Sequence, residues 1–244
     1  MLTVEAEHGG AAEPKGPSPL AILFAPDRAM HEQARVGRVR GYLLFAWSTA
    51  ILLGAALAAR VDAVSSTLQK LEMSGQLQSM SDRQIADDTR SAERIFQVGS
   101  IAKSIVGVPL GLGIACVTLV LLSWFFRGKL KGNAVAPIAA ATMLPGALAD
   151  LLDAVSAFQH ASLSPESIAL SPRSLSAVLA VAGRPLMDPW IKLGNAFDFF
   201  SLWTAVLMGY GLAAAAQVPK RTAVIGTLCA WVCYRLLTHV ATGG

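Results

Sequence analysis

The sequence predicts an all-α fold: an integral membrane bundle of five transmembrane helices with short interfacial helices. Three observations predict it. Five stretches are long and apolar enough to lie in a bilayer, whose core of about 30 Å needs about 20 mostly apolar residues at 1.5 Å rise each. Hydrophobic residues are 54% of the chain and charged residues 15%, against roughly 25% charged in a soluble domain. Basic residues stand at the ends of the apolar stretches and form no single stripe. The net charge of +4 therefore marks membrane ends, and no nucleic-acid partner is expected. A buried soluble helix can be apolar all round, but five of them flanked by basic residues do not fit a soluble protein.

Residues 1–19 are rich in Ala, Gly, Glu and Pro. They read as a disordered tail with no cleavable signal peptide, so the first span serves as the insertion signal. Residues 20–40 read as an interfacial segment on the cytoplasmic side. Within them Leu20 to Pro26 is a short apolar run, and Asp27 can open a surface helix to Gly37 as its cap or first-turn acid. The membrane domain covers 41–240. Its first span, 41–59, has no charged residue and ends at Arg60.

Residues 60–103 form an extracytoplasmic helical loop with six basic and six acidic residues. It reads as two helices broken near Gly75, the second opened by a capping box in which Ser81 is the N-cap and Gln84 stands three residues on. Span two is 104–126, uncharged up to Arg127, and span three is 133–158, apolar except for Asp150 and Asp153. Within the following loop Ser171-Pro172 can start a short interfacial helix over 174–182, and Asn195 can cap span four. Span four, 199–219, is uncharged and ends at Lys220 and Arg221. Span five, 222–240, carries Arg235 and His239. Trp124 and Trp190 suit the interfacial belt. Cys116, Cys229 and Cys233 all fall inside spans, where they serve as small apolar side chains and imply no disulfide framework.

Lys/Arg bias sets the orientation. Arg28, Arg35, Arg38 and Arg40 precede span one, Arg127, Lys129 and Lys131 fill the turn after span two, and Lys220 and Arg221 fill the turn after span four. With five spans these three sets share one side. The expected localisation is a multi-pass protein of a prokaryotic cytoplasmic membrane, N-terminus cytoplasmic and C-terminus outside.

Three patterns add a resemblance. Leu23-Phe-Ala-Pro-Asp-Arg-Ala-Met30 precedes span one, and Met80-Ser-Asp-Arg-Gln-Ile85 stands a few turns before span two. Phe197-Asp-Phe-Phe-Ser-Leu-Trp203 opens span four, which runs to Gly209-Tyr-Gly-Leu212 and Pro219-Lys-Arg221. In this order, across most of residues 20–240, they resemble the Yip family, Ypt/Rab-interacting membrane proteins with many prokaryotic relatives. The first pattern is one residue shorter than the family's, since only Ala25 separates Phe24 from Pro26. The resemblance implies an integral membrane protein of five spans with a cytoplasmic N-terminus, linked in eukaryotes to Rab binding and vesicle traffic. Nothing in this sequence points to a Rab partner.

Candidate chemistry is sparse. His31-Glu32-Gln33-Ala34-Arg35 begins like a zinc-protease motif, but Arg35 occupies the position of the second ligand. Ser100 and Lys103 have the Ser-x-x-Lys spacing without companion motifs, and read as a helix start with Lys103 reaching the headgroups. Cys229 and Cys233 share a helix face but lack a third metal ligand. Asp150 and Asp153 share a helix face and, with Arg235, form a candidate intramembrane polar cluster, since charge in hydrocarbon often marks an ion path. The competing reading puts both acids at the outer headgroups, since 18 residues separate Lys131 from Asp150. Arg235 can pair with either acid or reach the interface alone. Gly107 and Gly111, four apart around Pro109, read as a helix-packing pair beside a kink. The expected function is that of a non-catalytic membrane adaptor or organiser. It would have no enzyme activity, cofactor or metal, and its partners would be the bilayer and another membrane protein or a second copy. The alternative is a small transporter or channel component using the intramembrane acids.

Overall fold

The structure is a computed structural model that describes residues 16–159 and 197–241, together with Leu163, Ser174, Leu175, Leu179, Ala182 and Gly194. The described residues are helical, with two isolated β-bridges and no strand. The order is α1 (Pro19–Phe24), α2 (Pro26–Val36), α3 (Arg40–Arg60), α4 (Ala63–Met73), a 3-10 turn (Leu77–Ser79), α5 (Asp82–Phe125), α6 (Gly132–Thr142), α7 (Leu144–Gln159), α8 (Phe199–Ala216) and α9 (Lys220–Ala241). Of the expected helix over 174–182 only Ser174, Leu175, Leu179 and Ala182 are described, Leu175 and Leu179 of them helical, and Trp190 and Asn195 lie outside the described residues.

Among the described residues four helical stretches are long and apolar enough to cross a membrane: Arg40–Arg60, Asp82–Phe125, Gly132–Gln159 and Phe199–Ala216. The fifth expected span, α9, has 22 residues and is not among these four. The outside of the bundle is apolar. Leu44, Leu110, Ile114, Leu121, Trp124 and Leu237 are among many large hydrophobic side chains left exposed, far beyond what a soluble monomer tolerates as a patch. Lipid is the solvent that makes such a surface stable.

Gly132–Gln159 is the most buried of the four. It is alanine-rich: Ala139, Ala140, Ala141, Ala149 and Ala154 are all fully buried. Helices in lipid associate by close packing, which small side chains permit. This stretch is also where the expected single span divides. α6 ends at Thr142 and α7 begins at Leu144, because Pro145 has no N–H for the Ala141 carbonyl. The chain tightens there, with the Met143 amide bonded to the Ala140 carbonyl at 3.2 Å. α3 packs against both α7 and α5, and α8 packs against α9, α2 and α6.

The capping box at Ser81 forms as expected, with the Ser81 amide donating to Gln84 Oε1 at 2.9 Å. Gly75 makes the expected break, at φ 70°. The helix that Ser81 caps is longer than expected. α5 runs unbroken for 44 residues, about 66 Å, so span two is the inner half of a longer rod and Ser100 is no helix start. Pro109 sits inside this rod and would leave the Ile105 carbonyl unpaired. The Trp47 indole N–H, from α3, donates to that carbonyl at 3.0 Å.

The N-terminal segment is packed into the bundle. Ile22, Met30 and Gln33 are fully buried, Ile22 and Met30 in one cluster with Ile138, Leu207 and Leu212. Ser18 caps α1 by accepting from the Ala21 amide at 3.1 Å, and Pro17 accepts from the Tyr42 hydroxyl at 2.6 Å. The expected tail of 1–19 therefore has an ordered end, and residues 1–15 are outside the described part.

Candidate functional site

The two ends of the bundle differ in charge, and local structure explains how. Gly37 ends α2 in the left-handed region, at φ 72°, a conformation glycine adopts without strain. The chain turns there, setting Arg38 and Arg40 at the start of α3. The turn after α5 is tied to the end of α8, since the Lys129 and Lys131 amides donate to the Ala216 and Ala215 carbonyls at 2.8 and 3.0 Å. Lys220, opening α9, bridges back to Asp27 of α2 at 2.7 Å. That hydrogen bond, and then the Asp27 charge, hold the Lys220 ammonium above its usual pKa. The three basic sets of the sequence thus meet at one end of the fold, with Asp27 and Glu32 the acids of α2 there. Gln33 ties the same end together. Its amide N–H groups donate to the Arg38 carbonyl and, at 3.2 Å, to the Pro137 carbonyl.

The opposite end holds a second charged pair. Asp198 is the N-cap of α8: Oδ1 accepts from the Ser201 amide at 2.7 Å. Its Oδ2 accepts from Arg235 Nη2 at 2.9 Å. Arg235 lies over Trp231, 5.9 Å from the ring centroid, and Trp231 meets Phe197 edge-on at 5.4 Å. The partner of Arg235 in this structure is therefore Asp198, where the sequence suggested Asp150 or Asp153. A signal for this was present. α8 and α9 form a close antiparallel pair, so a residue near the start of one and a residue near the end of the other share a level.

Asp150 lies instead in the wall of a cleft of about 950 Å³ between α5 on one side and α3, α7 and α8 on the other. Lys103 and Asp150 are the charged residues of its lining, and the rest is mostly glycine, alanine and aliphatic. Asp153, one turn further along α7, is half-buried. Gly107 and Gly111 also line the cleft. A Cβ on Gly107 would meet nothing within 4 Å, and one on Gly111 would meet only Met143 Cε at 3.5 Å. Within one chain they therefore make no close helix crossing among the described residues, because α5 stands away from α7 at their level. The close crossings lie elsewhere. A Cβ on Gly209 would come within 2.6 Å of Val224 Cα on α9, and Gly54 abuts Ser104 and the Ser100 carbonyl of α5.

The other motifs resolve into ordinary structure. His31 and Arg35 are exposed on α2. The Ser100 hydroxyl donates to the Gln97 carbonyl at 3.0 Å, within α5. Cys116, Cys229 and Cys233 are free thiols, the latter two exposed. Among the described residues no three His, Cys, Asp or Glu side chains are grouped to hold a metal ion. At the start of α4, Asp62 caps the helix, accepting from the Ser65 amide at 2.9 Å and its hydroxyl at 2.6 Å. The hydroxyl bond first, and the amide second, hold this carboxyl below its usual pKa.

The arrangement can do two things chemically: a cationic end can hold anionic headgroups, and an apolar cleft can admit an apolar chain. No protein-family model, no curated protein and no solved structure matches this chain.

Proposed function

We propose that this chain is a non-catalytic, five-span membrane protein of the Yip type, an adaptor or organiser whose N-terminal segment acts from the cytoplasmic face. The observation that carries this reading is the packing of α1 and α2 into the basic end of the bundle, through buried Ile22, Met30 and Gln33 and the Lys220–Asp27 bridge. By the positive-inside rule that end faces the cytoplasm, and a segment fixed there is a rigid surface for a partner. α9 is the fifth span in this reading, with Arg235 neutralised by Asp198 so that the helix can lie in the bilayer. The Yip assignment rests on the three sequence patterns and their order alone.

The test has two arms. A reporter active only in the cytoplasm should work at Gly128 and fail at Gly244; activity at Gly244 requires an even span count and removes the five-span reading. Cross-linking from His31 or Arg35, replaced one at a time by a photoreactive residue, should capture a defined membrane or cytoplasmic partner in the native membrane. Labelling by lipid alone would speak against an adaptor. The second reading, a transporter or channel component, is favoured by Asp150 in the wall of the cleft.

A further inference from the structure

The cleft of about 950 Å³ is walled mostly by glycine, alanine and aliphatic residues and carries its two charged residues, Lys103 and Asp150, toward one side of its length. Lys103 and Ser100 on α5 and Asp150 on α7 stand toward the end away from the basic turns, while the body is walled by residues such as Gly107, Gly111 and Met143. Along α5 the cleft reaches from Ile95 to Thr118, and its part inward of Lys103 spans 15 residues or about 22 Å, so from the level of Lys103 it enters well past the middle of a core about 30 Å thick. It stops there because Leu119, fully buried in the main core cluster, and the packing of α5 on α6 close it. A partner helix crossing the membrane needs a groove open along the whole core. A lipid chain entering from one leaflet needs only half of it, with a charge at the level of its headgroup.

We propose that this cleft is a binding site for one phospholipid of the leaflet at the Lys103 end. One acyl chain lies along Gly107 and Gly111, and the phosphate sits at the Lys103 ammonium. The cleft has the volume of an ordinary small-molecule site. Lys103 is exposed, and its ammonium makes no hydrogen bond or ion pair with any described residue, so it is available to a phosphate. The two glycines, of which Gly107 faces open space and Gly111 only the Met143 methyl, then have a reason to be glycines: side chains there would occupy the path of the chain. This inference needs the membrane residence of α5 and α7 and is independent of the orientation, the partner and the span count proposed above.

The test is native mass spectrometry of the full chain in mild detergent, titrated with palmitoyl-oleoyl phosphatidylethanolamine. The parent should carry one lipid. Gly107→Phe should abolish that adduct while its melting temperature without added lipid stays within a degree or two, because a ring at this position projects into open space. Lys103→Glu should weaken the adduct on the order of tenfold, as a favourable headgroup contact becomes a repulsive one. A Gly107→Phe chain that melts like the parent and retains the lipid overturns the proposal, as does a parent that binds none. With all three native cysteines replaced by alanine, rapid disulfide formation between two Gly107→Cys chains in the membrane would assign the cleft to a second copy and also overturn it.

Discussion

Trp47 shows how a single side chain settles a helix in lipid. Pro109 leaves the Ile105 carbonyl without its helical donor, in a solvent that offers no replacement. The indole of Trp47 supplies one from the neighbouring helix. Trp47→Phe should therefore cost about 0.5–1.5 kcal/mol, seen as a lower unfolding midpoint in detergent. The bond itself can be isolated. Pro109→Ala restores an amide N–H for the Ile105 carbonyl, so Trp47→Phe should cost much less in that background. Equal costs in the two backgrounds would mean that Trp47 acts by packing and not by its hydrogen bond.

Where helices meet, glycine marks the contact only if a backbone lies opposite. Gly209 of α8 faces Val224 Cα of α9 at a distance no Cβ tolerates, and a backbone atom cannot move aside as a side chain can. Gly209→Leu should lower stability by about 1–3 kcal/mol or more, whereas Gly107→Leu should be close to neutral. Thermal melts of the two variants side by side check the ranking, and a neutral Gly209→Leu would place the α8–α9 crossing elsewhere. The cap of α4 offers a pH test. The folded-state pKa of Asp62 is lowered, so its contribution is fully present above the unfolded value of about 3.9. It is lost as the pH falls through the folded value. Hydrogen exchange in the first turn of α4, corrected for intrinsic rates, should stay slow at neutral pH and rise below about pH 4. Asp62→Asn keeps a capping oxygen and should remove that pH dependence.

The whole molecule is a bundle with a cationic end, an end where Asp198 and Arg235 pair, and an apolar cleft between. Transport would require a polar path through it, and among the described residues the cleft is lined mostly by apolar side chains. Protein reconstituted in liposomes should therefore show no proton or cation flux beyond that of empty vesicles. A flux removed by Asp150→Asn with Asp153→Asn would reverse this, because neutral amides cannot carry protons there, and would make the transporter reading the leading one.

The sequence by itself pointed to the solvent and to a basic end of the bundle. Long uncharged runs have no stable place but a bilayer, and the three basic sets at Arg38–Arg40, Arg127–Lys131 and Lys220–Arg221 already implied one common end. Local signals were equally legible: Ser81 with Gln84 and the break at Gly75 are set by chain-neighbour chemistry. Tertiary structure alone decided which helices touch. The spacing of Gly107 and Gly111 says that a backbone could approach, but not that one does, and the approach occurs at Gly209 and Gly54. It also decided that Arg235 meets Asp198, that Trp47 serves the carbonyl Pro109 strands, and that α5 continues outward as one rod. Each of these joins residues distant in sequence or depends on what a neighbour offers. In a bilayer apolar side chains face lipid and protein alike, so hydropathy says that a helix crosses the membrane without saying which face it turns to its neighbours.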